Sequence, residues 1–84
     1  MEDADRQALE AKWRERLENA RHRYEAAKAT VQRFRELQAK SHSVDVSLAL
    51  EYALRVEDAA LAEFKRVLTI FNDLVNYGKI PQED

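Results

Sequence analysis

The chain has no cysteine, a single glycine, a single proline and no long apolar run. Each absence removes a class of protein. Without cysteine there is no disulfide framework and no thiolate zinc site. One glycine and one proline over 84 residues leave little room for turns, so the chain reads as nearly all helix. No stretch of about 18 apolar residues occurs, so no membrane span is expected. The amino end, Met-Glu-Asp-Ala-Asp, is not a basic segment followed by an apolar one, so no signal peptide is expected either. A cytoplasmic location is the reading, and the lack of cysteine is compatible with it.

What is present is charge and helix-forming residues. Asp, Glu, Lys and Arg make up 36% of the chain, and Ala, Leu, Glu and Arg dominate, as in long paired helices. A hairpin of two such helices buries too little apolar surface to offset the entropy of ordering it comfortably. With disulfides and structural metals excluded, oligomerisation is the remaining source of stability.

From about residue 3 to residue 40, Trp13, Leu17, Ala20, Tyr24, Ala27, Val31 and Phe34 alternate spacings of four and three, which marks one face of a helix. Glu2, Asp3 and Asp5 suit the positive end of its dipole, with Asp3 the preferred cap. Ser41, His42, Ser43, Val44 and Asp45 interrupt the pattern with short polar side chains that compete for backbone hydrogen bonds. Either Ser43 or Asp45 can cap the second helix, and with Asp45 as cap Val44 would staple onto Ala49. That helix, from about 45, ends near Tyr77, because Gly78 can adopt the left-handed conformation and Pro81 prevents resumption. Ile80 is expected to fold back on the helix end, and Gln82, Glu83 and Asp84 to be disordered.

Matched helices with a short connection predict an antiparallel hairpin in one domain, 1–84: helix 1 about 3–40, turn about 41–45, helix 2 about 45–77 and a tail, 78–84. With the turn near residue 43, Phe71 faces Trp13 and Leu17, and Phe64 faces Ala20 and Tyr24. Helix 2 carries two apolar registers, however. The seam runs through Leu50, Ala53, Ala60, Phe64, Val67, Phe71 and Leu74, and one step beyond it lie Leu54, Leu61, Leu68 and Val75, spaced by seven. One partner helix covers a narrow seam and not the row beside it. The fold expected is therefore an all-α, coiled-coil-like hairpin that dimerises into a four-helix bundle. Its candidate oligomer or partner surface comprises Leu50, Leu54, Leu61, Phe64, Leu68, Phe71 and Val75.

Few residues carry chemistry. Glu57 sits in the seam where periodicity calls for an apolar side chain, facing the level of Ala27, Lys28 and Val31. A polar contact that fixes register, with Lys28 or Tyr24 as partner, is favoured over a metal ligand or catalytic acid. The Glu-x-x-His pairs of di-iron bundles are absent. Glu18, His22 and Glu25 share a face opposite the apolar stripe and read as a solvated charged surface. Arg14, Arg21, Lys28 and Arg35 form a basic row at seven-residue spacing beside the helix 1 seam, which could track phosphates. Acids of helix 2 or of a dimer mate are the more fitting partners for it, since the net charge is only −2 and glutamates are interspersed. Trp13, Phe71 and Tyr77 would meet at the open end, where an apolar pocket could form. No nucleophile with a base, Gly-rich phosphate loop or metal-ligand cluster is present, and no cofactor is implied. The function expected is a non-enzymatic interaction module, a scaffold, adaptor or regulatory protein that self-associates or binds another helical protein. Nucleic-acid binding is the runner-up, and a carboxylate metal or small-molecule site in the bundle core a weaker third.

Overall fold

Long uninterrupted stretches of helix formers with a three-four apolar spacing become two helices. The computed structural model describes residues 3–82, with α1 spanning Asp3–Lys40 and α2 spanning Val44–Tyr77. They pack antiparallel into a rod of 58 × 18 × 16 Å, Trp13 meeting Leu74 near one end and Val31 meeting Leu50 near the other. Asp3 is itself helical, with Asp5 in the same first turn, so it supplies dipole charge and does not stand outside the helix as a cap. Glu2, Glu83 and Asp84 lie outside the described residues.

Ser43 caps α2: its backbone is extended and its hydroxyl accepts a hydrogen bond from the Val46 amide at 3.1 Å. Ser43 therefore displaces the Asp45 alternative. Val44 becomes the first helical residue and is exposed, so no staple onto Ala49 forms. Capping from Ser43 satisfies an orphan amide while leaving Asp45 in the first turn, where its charge meets the dipole. The amide of Gln38 donates to the Ser47 hydroxyl at 3.2 Å and ties the helices together beside the turn.

At the other end Gly78 adopts φ 65°, and the amides of Gly78 and Lys79 donate to the carbonyls of Leu74 and Asp73. The bond from Gly78 to Leu74 is that of the αL closure, as the lone glycine implies. Arg6 completes it from α1. Its guanidinium donates to the Leu74 and Val75 carbonyls at 3.4 and 3.2 Å and pairs with Glu10 at 3.3 Å, which places a cation on the negative end of the α2 dipole.

The core is thin. Its buried apolar members are Trp13, Ala20, Ala27, Val31, Leu50, Ala53, Val67 and Leu74, three of them alanine, and among the described residues no polar side chain is buried. Leu17, Phe64 and Phe71 pack on the Trp13 end, and Tyr24 stacks on Phe64 with ring centroids 6.1 Å apart, as the antiparallel register requires. No described helix is long and apolar enough to cross a membrane.

Candidate interaction surfaces

Two helices leave two flanks, and each flank of this hairpin carries apolar side chains. A helix turns by about 100° per residue, so positions one step after the seam and positions three steps after it fall on opposite sides. Leu54, Leu61, Leu68 and Val75 define one side, the leucine face. Ala49, Tyr52, Val56 and Ala59 define the other, the alanine face.

On the leucine face the hairpin itself gives partial cover. Leu54 and Leu61 are half-buried, Leu54 packing on the Val31, Leu50 and Ala53 cluster, whereas Leu68 and Val75 are 36% and 38% exposed. A side chain about 100° from the seam lies beside the partner helix, which screens part of it. Leu50, Phe64 and Phe71 belong to the inside of the hairpin: Leu50 is buried, and both phenylalanines are half-buried against the Trp13 core. The surface offered outward therefore narrows to the four residues of the leucine row.

The basic row of α1 lies along the same face, and Arg14, Arg21 and Lys28 are engaged locally. Arg14 places its guanidinium 5.6 Å from the Phe71 ring centroid, and the Lys28 ammonium lies 5.6 Å from that of Tyr24. Arg21 is held between Glu18 at 2.7 Å and Glu25 at 3.0 Å, while Arg35 is exposed. These carboxylates are on α1, so the pairing of Arg21 with acids of α2 is not what the chain adopts. Neighbours three and four positions away on one helix are closer than groups across the seam. The hydrogen bond from Arg21, and then its charge, hold the Glu18 carboxyl below its ordinary range; the same contacts raise Arg21. His22 lies 3.8 Å from Glu18 on this solvated surface.

Glu57 is half-buried and makes neither an ion pair nor a hydrogen bond with Lys28 or Tyr24. It stands at the edge of the seam, and the Lys28 ammonium lies over the Tyr24 ring instead. Among the described residues no three His, Cys, Asp or Glu side chains converge as a metal site would require.

The alanine face escaped the sequence reading. Here Ala20, Ala26, Ala27, Thr30, Val56 and Ala60 line an open trough of about 600 Å³. It continues toward the turn as a hollow of about 270 Å³ between Phe34, Ala49 and Tyr52. Tyr52 is 70% exposed and Val56 is 41% exposed. Toward the open end the floor turns polar, with Arg16, Asn19, Arg23, Glu63 and Arg66 around a further hollow. Arg66 pairs with Glu63 at 2.6 Å, and its hydrogen bond holds that carboxyl below its ordinary range. Arg16 covers the Trp13 ring at 4.6 Å. The available signal was the pair of alanine doublets, Ala26–Ala27 and Ala59–Ala60: a seam explains one member of each, and the other is the trough wall.

The apolar pocket expected of Trp13, Phe71 and Tyr77 does not form. Trp13 is 1% exposed, whereas Tyr77 is 81% exposed because Gly78 ends the helix with that side chain turned to solvent. Ile80 is exposed and shares with Ile70, Asp73 and Lys79 a hollow of about 220 Å³ where the tail runs beside α2. Trp13 carries a buried indole N–H with no acceptor.

Compared with known proteins, the chain matches no family model, no curated sequence and no solved structure.

Proposed function

We propose that this chain is a non-enzymatic helical interaction module that self-associates through its leucine face into a four-helix bundle. One observation carries the reading. The hairpin exposes 6284 Å², whereas a folded monomer of its 9.8 kDa exposes about 5,200 Å². Part of the excess, about 1,100 Å², belongs to the elongated shape, and the total leaves room for a standard interface, which removes about 800 Å² from each partner. Leu54, Leu61, Leu68 and Val75 give that interface a continuous apolar row, and the flanking Arg14, Lys28 and Arg35 meet the mate's Glu51 and Asp58 at its rim. Cytoplasmic residence accords with a chain free of cysteine. Against a phosphate track stands Arg21, whose charge is already balanced by two carboxylates.

The lack of native cysteine makes a direct test available. Leu61→Cys and Leu68→Cys, singly or together in one chain, should give a covalent dimer on oxidation, and Ala29→Cys, on the outer side of α1, should not. A monomeric mass by light scattering, with Ala29→Cys crosslinking as readily as the leucine variants, refutes the assembly.

A further inference from the structure

We propose that the alanine trough is a docking groove for one amphipathic helix of a different protein, with large apolar residues on its buried face and acids on its flanks. The trough is largely apolar, with Arg23 and Glu63 standing together at one end and no polar group converging on its middle. Thr30, the hydroxyl in its wall, already donates to the Ala26 carbonyl at 3.1 Å. Small-molecule sites combine an apolar lining with several convergent polar groups, and this one does not. Its shape suits a helix instead. Small side chains on both walls let a third backbone approach closely, and from Ala20 to Phe34 the groove runs about 21 Å along α1, roughly four helical turns. Tyr52 and Val56 stand open on the wall, ready to close over an inserted Leu, Ile or Phe.

Charge selects the partner. Where the trough turns polar, Arg16 and Arg23 stand beside the Arg66–Glu63 ion pair and leave the rim positive. A helix flanked by Asp or Glu meets this rim favourably. A second copy of the chain fits less well: its own leucine row travels with Arg14, Lys28 and Arg35, which would set cations against the rim arginines. The groove lies on the side opposite the leucine face, so it neither uses nor needs the self-association proposed above. In the four-helix bundle two such grooves would face outward.

The test uses the full chain and two synthetic helical peptides of about 21 residues, of which about 14 span the groove and the rest extend the helix at its ends. One carries Leu at i, i+4, i+7 and i+11 with Glu on the flanks, and the other has Lys at every Glu position. Fluorescence anisotropy at about 150 mM salt should show the Glu peptide binding at least about tenfold more tightly than the Lys peptide. Ala59→Glu and Ala26→Glu replace exposed alanines of the trough wall, so both should keep parental helix content by circular dichroism. Each should weaken the Glu peptide by about tenfold or more, and Arg23→Glu should narrow or reverse the preference between the peptides. Leu68→Glu, on the other face, should leave binding within about twofold. Equal affinity for both peptides, no binding up to about 1 mM, or indifference to both alanine variants overturns the proposal. So does a parent oligomer that Ala59→Glu dissociates and Leu68→Glu does not, because the groove would then hold a second copy.

Discussion

Replacing Leu68 and Val75 together by Glu separates the stability of the hairpin from that of the proposed assembly. These two residues are the most exposed of the leucine row, at 36% and 38%, so the hairpin already covers a little under two-thirds of each. Full burial of such a side chain contributes about 1.5–3 kcal/mol, so the double variant costs the isolated hairpin about 2–4 kcal/mol. The assembled state loses much more, because four carboxylates with no built partners would enter one apolar interface at several kcal/mol each. Selective loss of the dimer follows. For the parent, raising concentration from about 5 to about 200 µM favours a dimer by RT ln 40, about 2.2 kcal/mol, and lifts the melting temperature by about 4–9 °C for a cooperative unit of two chains. The double variant should sediment as a monomer, melt lower, and melt at the same temperature at both concentrations. A parent whose melt is independent of concentration, with a monomeric mass at the higher one, refutes the argument at its base.

Gly78→Ala should lower stability by about 1–2 kcal/mol, seen in a urea titration, because φ 65° strains any β-carbon. A new Cβ would sit 3.7 Å from the Arg6 guanidinium, an ordinary contact, so a much larger loss would contradict the cause given. Trp13→Phe should cost far less than the about 3–5 kcal/mol of Trp13→Ala, since it removes an indole N–H buried without an acceptor; equal losses would show that the nitrogen is satisfied. Glu57→Leu should melt no lower than the parent, because the carboxylate has no partner to lose, and a marked drop would reveal one. On acidification, Glu18 and Glu63 titrate below their ordinary 4.5 in the folded chain, so the unfolded chain binds protons first. Their contribution is complete above that value and is lost as pH falls through the lower folded values, which predicts a melt flat near neutrality and falling in acid. Both carboxylates are exposed, so the fall attributable to them should be slight, shrink in high salt and diminish in a Glu18→Gln, Glu63→Gln variant.

Helix boundaries and register were legible because they rest on local rules. Gly78 has one conformation that stops a helix, and the three-four spacing from Trp13 to Phe34 has one face. The cap of α2 was legible only as a pair, since Ser43 and Asp45 both offer an oxygen at a suitable distance; the choice turns on whether Val44 gains more as a staple or as a first helical residue. Ion pairs were harder. Arg21 has acids within reach on its own helix and across the seam, and only side-chain reach decides between them. The trough was invisible for a different reason. Alanine reads as a helix former wherever it stands, and a space left by small side chains is a property of two helices in register, carried by no residue of either one alone.

Arg6 shows the same difficulty at a single side chain. Nothing in its local sequence marks it, since a cation near a helix start is unfavourable to that helix's own dipole. It is placed well only because the antiparallel register sets the start of α1 beside the end of α2, where its guanidinium reaches the Leu74 and Val75 carbonyls. A second helix end thus explains a residue that the first would reject. Arg6→Ala should lower stability by about 1–2 kcal/mol through lost charge-assisted hydrogen bonds to those carbonyls, and Arg6→Lys should recover only part, because a single ammonium cannot spread over two carbonyls and Glu10 as the planar fork does. Hydrogen exchange locates the effect. Faster exchange confined to the amides of Gly78 and Lys79 and the last turn of α2 is expected, whereas faster exchange centred on the first turn of α1, with the α2 end unchanged, would mean that Arg6 serves its own helix through Glu10 and does not clamp the hairpin.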